Sequence, residues 1–286
     1  MDNLKAKKRH PEEIAVYTAI YVCAAFSVLL LLGIIIYVFA KGARRVNWAF
    51  LTGVTSILHG TVGIAGNILN TLIIILLTMI ITTPIGVGAA IYLNEYAKPG
   101  KLVTVIIFAT ETLAGIPSII FGLFGMLFFG QLCHMGYSLL TGSLTLTLMV
   151  LPLVTRNTQE ALKTVPDSFR TGAVGLGAGK WYTIRTILLP SAMPGIVTGV
   201  ILAIGRIIGE SAALLFTAGS AHLLPKTFNA FLEKIFHSSG TLTIQLYLSA
   251  SKGEFEVAFG IAVVLLVIVL LINFGTKRLA KKLEKH

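Results

Sequence analysis

The sequence is poor in charge, and above all in acidic residues. Only 12% of its 286 residues are charged, with 23 Lys and Arg against 12 Asp and Glu. Soluble domains carry about 25% charged residues, so this shortage argues against a soluble globular protein. The basic residues stand mostly at the ends of apolar runs, where they orient a membrane protein rather than bind nucleic acid. We therefore predict an integral membrane protein that contacts lipid and has no nucleic-acid partner.

Residues for covalent chemistry and metal binding are equally scarce. The two cysteines, Cys23 and Cys133, define neither a disulfide framework nor a metal site. The segment GLGAGKW resembles a phosphate-binding loop, but Val174 stands where its first glycine should be and Trp181 follows the lysine. We expect no catalytic residue, no metal site and no nucleotide or other cofactor in this chain.

Long apolar runs are what the sequence has in abundance. A helix needs about 20 apolar residues to cross the hydrocarbon of a bilayer. Six runs meet or approach this length: Ile14–Ala40, Ile68–Leu93, Leu102–Phe129, Tyr137–Val154, Ile196–Ala218 and Val257–Phe274. The fourth is borderline in length but lacks any charge. The sequence thus predicts an all-α integral membrane protein with six transmembrane helices.

The distribution of lysine and arginine predicts the orientation. With the N-terminus in the cytoplasm, the inward segments carry sixteen Lys and Arg residues and the outward segments carry six. Because positive residues favour the cytoplasmic side, both termini are predicted to lie there. The cluster Lys41–Arg45 falls on the outer side, against the rule, and is outvoted.

The fifth apolar run contains two charged residues. Arg206 is the eleventh residue of the run that starts at Ile196, which places it roughly 15 Å into the membrane. Glu210 follows at i+4, on the same face of a continuous helix. We expect Arg206 to bind an oxyanion in transit, with Glu210 orienting it, because a guanidinium group binds two phosphate oxygens at once. A self-neutralising ion pair that pins the helix is the alternative.

Two further features of the apolar runs carry open alternatives. Glu111 lies in the third run and is either a second buried charge on the substrate path or a residue of the inner interface. Two GxxxG spacings, Gly195/Gly199 and Gly205/Gly209, allow close helix contact, either within the chain or with another subunit.

A polar insert, residues 156–190, separates the fourth and fifth runs and is predicted to be cytoplasmic. It is predicted to form a helix over Arg156–Lys163, a break at Pro166, a second helix capped by Asp167 or Ser168, a glycine turn, and a third helix over Lys180–Leu189 that ends at Pro190. A helix–turn–helix with an apolar face is suited to docking into a groove of a partner protein.

The insert resembles the "EAA" loop of ABC-importer membrane subunits, whose pattern is E-A-A-x3-G-x9-I-x-L-P. Ala173, Gly177, Ile187, Leu189 and Pro190 match in register, whereas Thr171 and Gly172 replace the usual Glu and Ala. The wider segments LPLVTRNTQEALKTVPDSFRTGAVGLGAGKW, GIPSIIFGLFG and GRIIGESAALLFTAG resemble the PstA-type permease subunits of bacterial phosphate importers.

The resemblance implies a type I ABC importer permease fold in the bacterial inner membrane. It implies a heterodimer with a second permease subunit, two cytoplasmic ATPase subunits that bind ATP and magnesium, and an external phosphate-binding protein. It also implies a coupling helix and turn that contact the ATPase through the residues Phe169, Arg170, Thr171, Ala173, Gly175, Gly177, Ala178 and Pro190. Because Thr171 replaces the usual glutamate, Arg170 or Asp167 is expected to supply the polar contact.

The expected organisation has three parts. Residues 1–67 form an N-terminal tail, a first helix and an external loop; residues 68–274 form the permease domain with its coupling insert; and residues 275–286 form a basic tail. Two other functions stay open: a permease subunit for another oxyanion such as molybdate or sulfate, and a secondary anion transporter driven by an ion gradient. A lipid-metabolising membrane enzyme is disfavoured because the insert has no His or Cys.

Overall fold

The computed structural model describes residues 11–56, 61–225 and 227–283. The basic N-terminal residues used to predict orientation, from Lys5 to Arg9, and Lys285 lie outside this part of the chain. The described helices are α1 (Pro11–Gly42), α2 (Trp48–Thr52), α3 (Ala65–Ile91), α4 (Lys101–Gly115), α5 (Ser118–Gly125), α6 (Leu139–Lys163), α7 (Asp167–Gly175), α8 (Lys180–Thr183), α9 (Leu189–Gly209), α10 (Ala212–Thr217), α11 (Phe228–Glu233), α12 (Leu242–Ser251) and α13 (Phe255–Leu283). Two short antiparallel strands, β1 (Val54–Ser56) and β2 (Thr61–Ile64), form a hairpin.

The described residues confirm the predicted membrane architecture. Five helical stretches are long and apolar enough to cross a bilayer, namely Ala15–Arg45, Ala65–Tyr96, Leu139–Lys163, Lys180–Gly209 and Phe255–Arg278. The pair Lys101–Gly115 and Ser118–Leu132, bent by 103° at the break between them, gives a sixth if the two are counted as one broken span. Short π-helical segments extend α3 (Tyr92–Tyr96) and α5 (Met126–Leu132) and join α8 to α9 (Ile184–Leu188).

The third apolar run is not the straight helix that the sequence predicted over Leu102–Phe129. The helix ends at Gly115, and Ile116 adopts an extended conformation (φ −74°, ψ 132°) before Pro117. The proline ring disfavours helical geometry at the residue that precedes it, so the backbone turns there.

The fifth run is also interrupted, and the predicted helix over Ile196–Ala218 is wrong in its second half. Helix α9 ends at Gly209, Glu210 is extended (φ −83°, ψ 122°), and α10 begins only at Ala212. Glu210 therefore does not follow Arg206 by one helical turn.

Two predicted helices of the insert are parts of longer membrane helices. Residues Arg156–Lys163 are the last two turns of α6, and Lys180–Leu189 runs into α9 without ending at Pro190. Pro190 lies in the first turn of α9. Proline has no backbone N–H, and the π-helical turn Ile184–Leu188 before it adjusts the helix to the hydrogen bond that is lost. The predicted break at Pro166 is confirmed. Neither Asp167 nor Ser168 caps α7, because Pro166 occupies the N-cap position.

The core is built on α6, which packs between α3 and α9. Leu146, Val150 and Val154 of α6 are almost completely buried and share one apolar cluster with residues of α3 and α9. In contrast, α1 lies at the periphery beside α13, and no residue of its most apolar stretch is buried.

The two ends of the bundle have different structures. At one end lie α2 and the hairpin, which lead directly into the start of α3. At the other end α3 terminates near Glu95, whose carboxylate contacts Arg170 of α7. The insert and the hairpin therefore lie at opposite ends of the membrane spans.

Candidate functional site

A cavity of about 310 Å³ opens on the face of the bundle formed by α4, α6 and α9. Charged side chains from all three helices line it: Glu111 from α4, Arg156 from α6 and Arg206 from α9. The rest of the lining is mostly apolar and includes Phe121, Met149, Pro152 and Leu153. A low-polarity wall strengthens the interaction between a guanidinium group and an anion, because less water screens it.

The two arginines lie at different depths along the cavity. A Cβ atom on Gly195 would lie 2.5 Å from the Cβ of Ala161, and one on Gly199 would lie 2.6 Å from the Cβ of Asn157. These contacts show that α6 and α9 run antiparallel, and the same register places Arg206 level with Val150. Arg156 is thus about six residues, or roughly 9 Å, nearer the insert than Arg206.

Neither arginine of the cavity is neutralised by an ion pair in the described part of the chain. The ion pairs there join Lys163 to Glu160 and Arg170 to both Glu95 and Asp167. Arg156, Arg206 and Glu111 are all exposed, so their charged groups are open to a solute or to another subunit.

Glu210 lies apart from this group, which corrects the predicted pairing with Arg206. Its side chain is buried and its Oε1 accepts a hydrogen bond from the backbone N–H of Ala213 at 3.0 Å, so it caps the start of α10. Its backbone carbonyl accepts a hydrogen bond from the Thr243 hydroxyl at 2.9 Å. Glu210 stabilises the interruption between α9 and α10 and forms no ion pair with Arg206 among the described residues.

The sequence missed Arg156 as a cavity residue. It was assigned to the cytoplasmic insert because it follows the apolar run. The signal that could have revealed it is the absence of glycine and proline between Pro152, which lies inside α6, and Pro166. A helix that continues past Val154 keeps Arg156 on the wall of the bundle.

The GxxxG spacings of α9 are divided between two surfaces. Gly195 and Gly199 pack against α6, where any side chain would collide with Ala161 or Asn157. A Cβ on Gly205 or Gly209 would meet nothing within 4 Å. The first pair is used inside the chain, whereas the second pair, beside Arg206, leaves an open surface.

The second candidate region is the helix α7 and the turn that follows it. Gly177 has a φ of +79°, the Ala178 N–H donates to the Ala173 carbonyl at 3.0 Å, and the Gly177 N–H donates to the Val174 carbonyl at 2.9 Å. This pair of hydrogen bonds is the Schellman arrangement, which favours glycine at the left-handed position. The predicted glycine turn is therefore confirmed and begins at the end of α7.

Apolar side chains project from α7 and the start of α8 into solvent. Val174, Leu176 and Trp181 are exposed to 67%, 91% and 58%, and Phe169 and Tyr182 are exposed as well. Exposed apolar surface of this kind is typical of a contact site for another protein or for lipid. Ile184 and Leu188 turn into the core instead, so they do not share an exposed face with Trp181.

The remaining predicted contact residues have structural positions within or beside the turn. Thr171 returns its hydroxyl to the Asp167 carbonyl, Ala173 is buried, and Gly175 is open to solvent. Ala178 is half-buried beyond Gly177. Pro190 lies at the start of α9, beyond α8 and the π-helical turn.

Arg170 does not face outward as predicted. Its Nε and Nη2 donate to the Glu95 carboxylate, Nη1 donates to the Val165 carbonyl and Asp167 Oδ1, and Nη2 also donates to the Leu162 carbonyl. All five of its N–H donors are thus used inside the chain. The hydrogen bond that Arg170 donates to Glu95 raises the pKa of Arg170, with the nearby negative charges of Glu95 and Asp167 acting in the same direction.

The carboxylate of Asp167 is the acidic group that α7 presents to solvent. Its side chain is 92% exposed even though it accepts a hydrogen bond from Arg170. Of the two residues expected to replace the missing glutamate, Arg170 binds within the chain and Asp167 keeps free oxygen lone pairs.

The chain is similar in sequence to known membrane transport proteins. Residues 82–286 match the family described as binding-protein-dependent transport system inner membrane component. The chain is 36% identical over 92% of its length to the probable ABC transporter permease protein YqgI of Bacillus subtilis, of which it covers 93%. It is 34% identical over 84% of its length to the phosphate transport system permease protein PstA of Xylella fastidiosa, of which it covers 82%.

Solved structures support the fold. The chain superposes on an alginate ABC transporter in complex with a periplasmic protein with a TM-score of 0.68, at 14% identity and with 96% of each chain covered. It superposes on an inward-facing MetNI methionine ABC transporter with a TM-score of 0.59, at 21% identity, covering 77% of this chain and 94% of that one. The architecture is that of type I ABC importer permeases.

Proposed function

We propose that this chain, which belongs to the family of binding-protein-dependent transport system inner membrane components, is the permease subunit of an ATP-driven importer of inorganic phosphate. Several of its relatives are named phosphate transport system permease proteins and match most of its length. The chain is a multi-pass membrane protein, and the anion it conducts is the point that needs a structural argument.

The observation that supports phosphate is the cavity lined by Arg156 and Arg206. Two guanidinium groups without carboxylate partners attract an oxyanion, and their planar donors suit the oxygen geometry of phosphate. Glu111 contributes one opposing charge, which weakens binding enough for release, since a conduit must allow both entry and exit.

The offset of about 9 Å between the two arginines suggests a sequence of contacts. Arg206 lies farther from the insert and meets the anion first when it enters from the opposite side. Arg156 meets it next, nearer the insert. The open surface of Gly205 and Gly209 lies beside Arg206, so a second permease subunit would close the other wall of the path.

The partners in this proposal follow from the family. The chain forms a heterodimer with a second permease subunit, receives phosphate from an external binding protein, and is driven by two ATPase subunits that hold ATP and magnesium. The exposed apolar side chains of α7 and α8 form the contact with an ATPase, with Asp167 as its polar component. Both termini and the insert lie in the cytoplasm of a bacterial cell, on the inner membrane.

The test is phosphate uptake by the assembled importer in proteoliposomes. Arg206→Gln is expected to lower uptake at least tenfold, because a hydrogen bond to a charged group contributes about 1.5–3 kcal/mol. Arg156→Gln is expected to lower it to a similar extent. The matched control is Arg278→Gln, which removes an arginine stacked on Phe274 outside the cavity and should leave uptake unchanged.

Three results would contradict the proposal. Normal uptake by Arg206→Gln would remove this residue from the path. Stronger transport of sulfate or molybdate than of phosphate would assign the path to another oxyanion. Uptake that persists without ATP but stops when an ion gradient is dissipated would identify a secondary transporter.

A further inference from the structure

A second charged groove lies far from the cavity, between the end of α1 and the start of α13. It has a volume of about 1030 Å³, and its lining consists of Tyr37, Ala40, Lys41, Arg44, Arg45, Phe255, Glu256 and Phe259. We refer to it as the α1–α13 groove. Three of these side chains are positive and one is negative, so the groove carries a net charge of two positive units.

The α1–α13 groove lies at the end of the bundle opposite the insert. Phe50 of α2 packs in one cluster with Ile64 of the hairpin and with Val257 and Ile261 of α13. The hairpin leads into α3, whose far end contacts α7 through Glu95 and Arg170. The groove therefore faces the membrane surface away from the ATPase contact, where a basic cluster runs against the usual charge bias.

The basic side chains of the groove form no ion pair with a carboxylate in the described part of the chain. None of its ion pairs includes Lys41, Arg44 or Arg45. The Nε of Arg45 is buried and has no hydrogen-bond partner, although its guanidinium group lies 5.9 Å from the centre of the Phe50 ring. A buried N–H donor without an acceptor is costly, so an acceptor at this position would stabilise the Arg45 side chain.

The groove is amphipathic and borders the lipid-facing surface. The rings of Tyr37 and Phe259 meet edge to face, with their centres 5.7 Å apart, and Phe255 is 60% exposed. Aromatic residues favour the interface between lipid and water. No residue of the most apolar stretch of α1 is buried, so the apolar part of a ligand can lie along α1 below the basic side chains.

We propose that the α1–α13 groove binds an anionic phospholipid of the leaflet opposite the insert. Lys41, Arg44 and Arg45 contact the phosphate of its headgroup, and the aromatic side chains and α1 contact its acyl chains. A small soluble anion would use the charges but would leave the aromatic side chains exposed. This lipid site is independent of the anion that the cavity conducts.

The experiment measures which lipids the assembled complex retains. The complex is placed in nanodiscs of phosphatidylcholine with and without phosphatidylglycerol. It is then delipidated, and native mass spectrometry counts the lipids that stay bound. The wild type is expected to retain phosphatidylglycerol in preference. Each basic residue near an anionic membrane surface contributes roughly fivefold, so K41Q/R44Q/R45Q is expected to lower its affinity for phosphatidylglycerol on the order of a hundredfold.

Two variants sharpen the result. Glu256→Gln removes the opposing charge and is expected to raise phosphatidylglycerol retention by roughly fivefold, which is a gain that misfolding cannot imitate. K98Q/K101Q/K252Q removes the same number of charges from exposed positions outside the groove and is expected to match the wild type. If the triple groove variant does not assemble, Glu256→Gln and the comparison of the two lipids decide.

The proposal is overturned if the wild type shows no preference between the two lipids, or if the triple groove variant retains phosphatidylglycerol like the wild type. It is also overturned if inorganic phosphate displaces phosphatidylglycerol from the wild type and binds with the same dependence on these residues. Loss of binding of the external solute-binding protein in the triple variant, with unchanged lipid retention, would assign the groove to that protein instead.

Discussion

Replacing Arg170 by Met should release α7 from the end of α3 without unfolding the membrane spans. The side chain of Glu95 is 8% exposed and that of Arg170 is 23% exposed, and their closest contact is 2.9 Å. The substitution removes five donated hydrogen bonds and leaves the Glu95 carboxylate and the Leu162 and Val165 carbonyls without this partner.

The free-energy cost of the substitution comes from the buried Glu95 carboxylate, which loses its ion-pair partner. Removing one partner of a buried ion pair costs about 3–5 kcal/mol, and the partial exposure of Arg170 favours the lower end, about 3 kcal/mol. That free energy corresponds to an increase on the order of a hundredfold in the population of released α7. Arg170→Lys keeps the charge but loses the two-pronged contact with Glu95, so it should have an intermediate effect.

The assay is hydrogen exchange of the backbone amides of residues 167–178 in the assembled complex. Arg170→Met should accelerate their exchange on the order of a hundredfold while the amides of α6 stay protected. Lys163→Gln is the matched control, because its ion pair with Glu160 is exposed on both sides and contributes at most about 1 kcal/mol. In proteoliposomes that contain the assembled importer, the Arg170→Met variant should also import less phosphate per ATP hydrolysed.

A double-mutant cycle with Glu95→Gln separates the ion pair from the other bonds of Arg170. The two substitutions should be non-additive, because each removes the same contact. If Arg170→Met exchanges at the wild-type rate, or if the two effects simply add, the contact between α3 and α7 does not anchor the coupling helix.

Three further predictions concern glycines. Inserting two residues after Gly177 should leave ATP hydrolysis in place but uncouple it from uptake, and co-purification of the ATPase with unchanged coupling would count against α7 as a lever. Gly177→Ala should destabilise the turn by about 1–2 kcal/mol because the residue has a positive φ, which local hydrogen exchange measures; an unchanged rate would show that the turn tolerates Cβ. Gly199→Leu should prevent folding because its Cβ would lie 2.6 Å from that of Asn157, whereas Gly205→Leu should fold but lose the second permease subunit. Equal co-purification of that subunit with wild type and Gly205→Leu would show that this surface is not the subunit contact.

The sequence predicted the spans well because hydrocarbon thickness imposes a minimum length on every apolar helix. It predicted their interruptions poorly. Pro117 offered a local signal for the bend after Gly115, but the end of α9 at Gly209 has no proline and depends on the cap that Glu210 gives to α10. Spacing along an assumed continuous helix therefore paired Arg206 with a residue that points elsewhere.

The candidate site was also predicted only in part, because the sequence did not show where the helices continue and where they break. Arg206 and Glu111 were identified as charges within apolar runs, and the structure brings both to one cavity. Arg156 was missed because it follows an apolar run and resembles a flanking charge until α6 is seen to continue. Arg170 was expected to face a partner, and only the fold shows that the end of α3 lies close enough to bind all of one side of its guanidinium group.

The bend at Ile116 restricts where the bilayer can reach. Peptide groups at a break in a helix lose their internal partners, and hydrocarbon cannot replace them. No residue of α4 is buried by the rest of the described chain, but Ile116 itself packs on the core cluster and lines the cavity that holds Arg206. The break in the helix therefore lies beside the cavity, where water can hydrogen-bond the peptide groups that lack a helical partner.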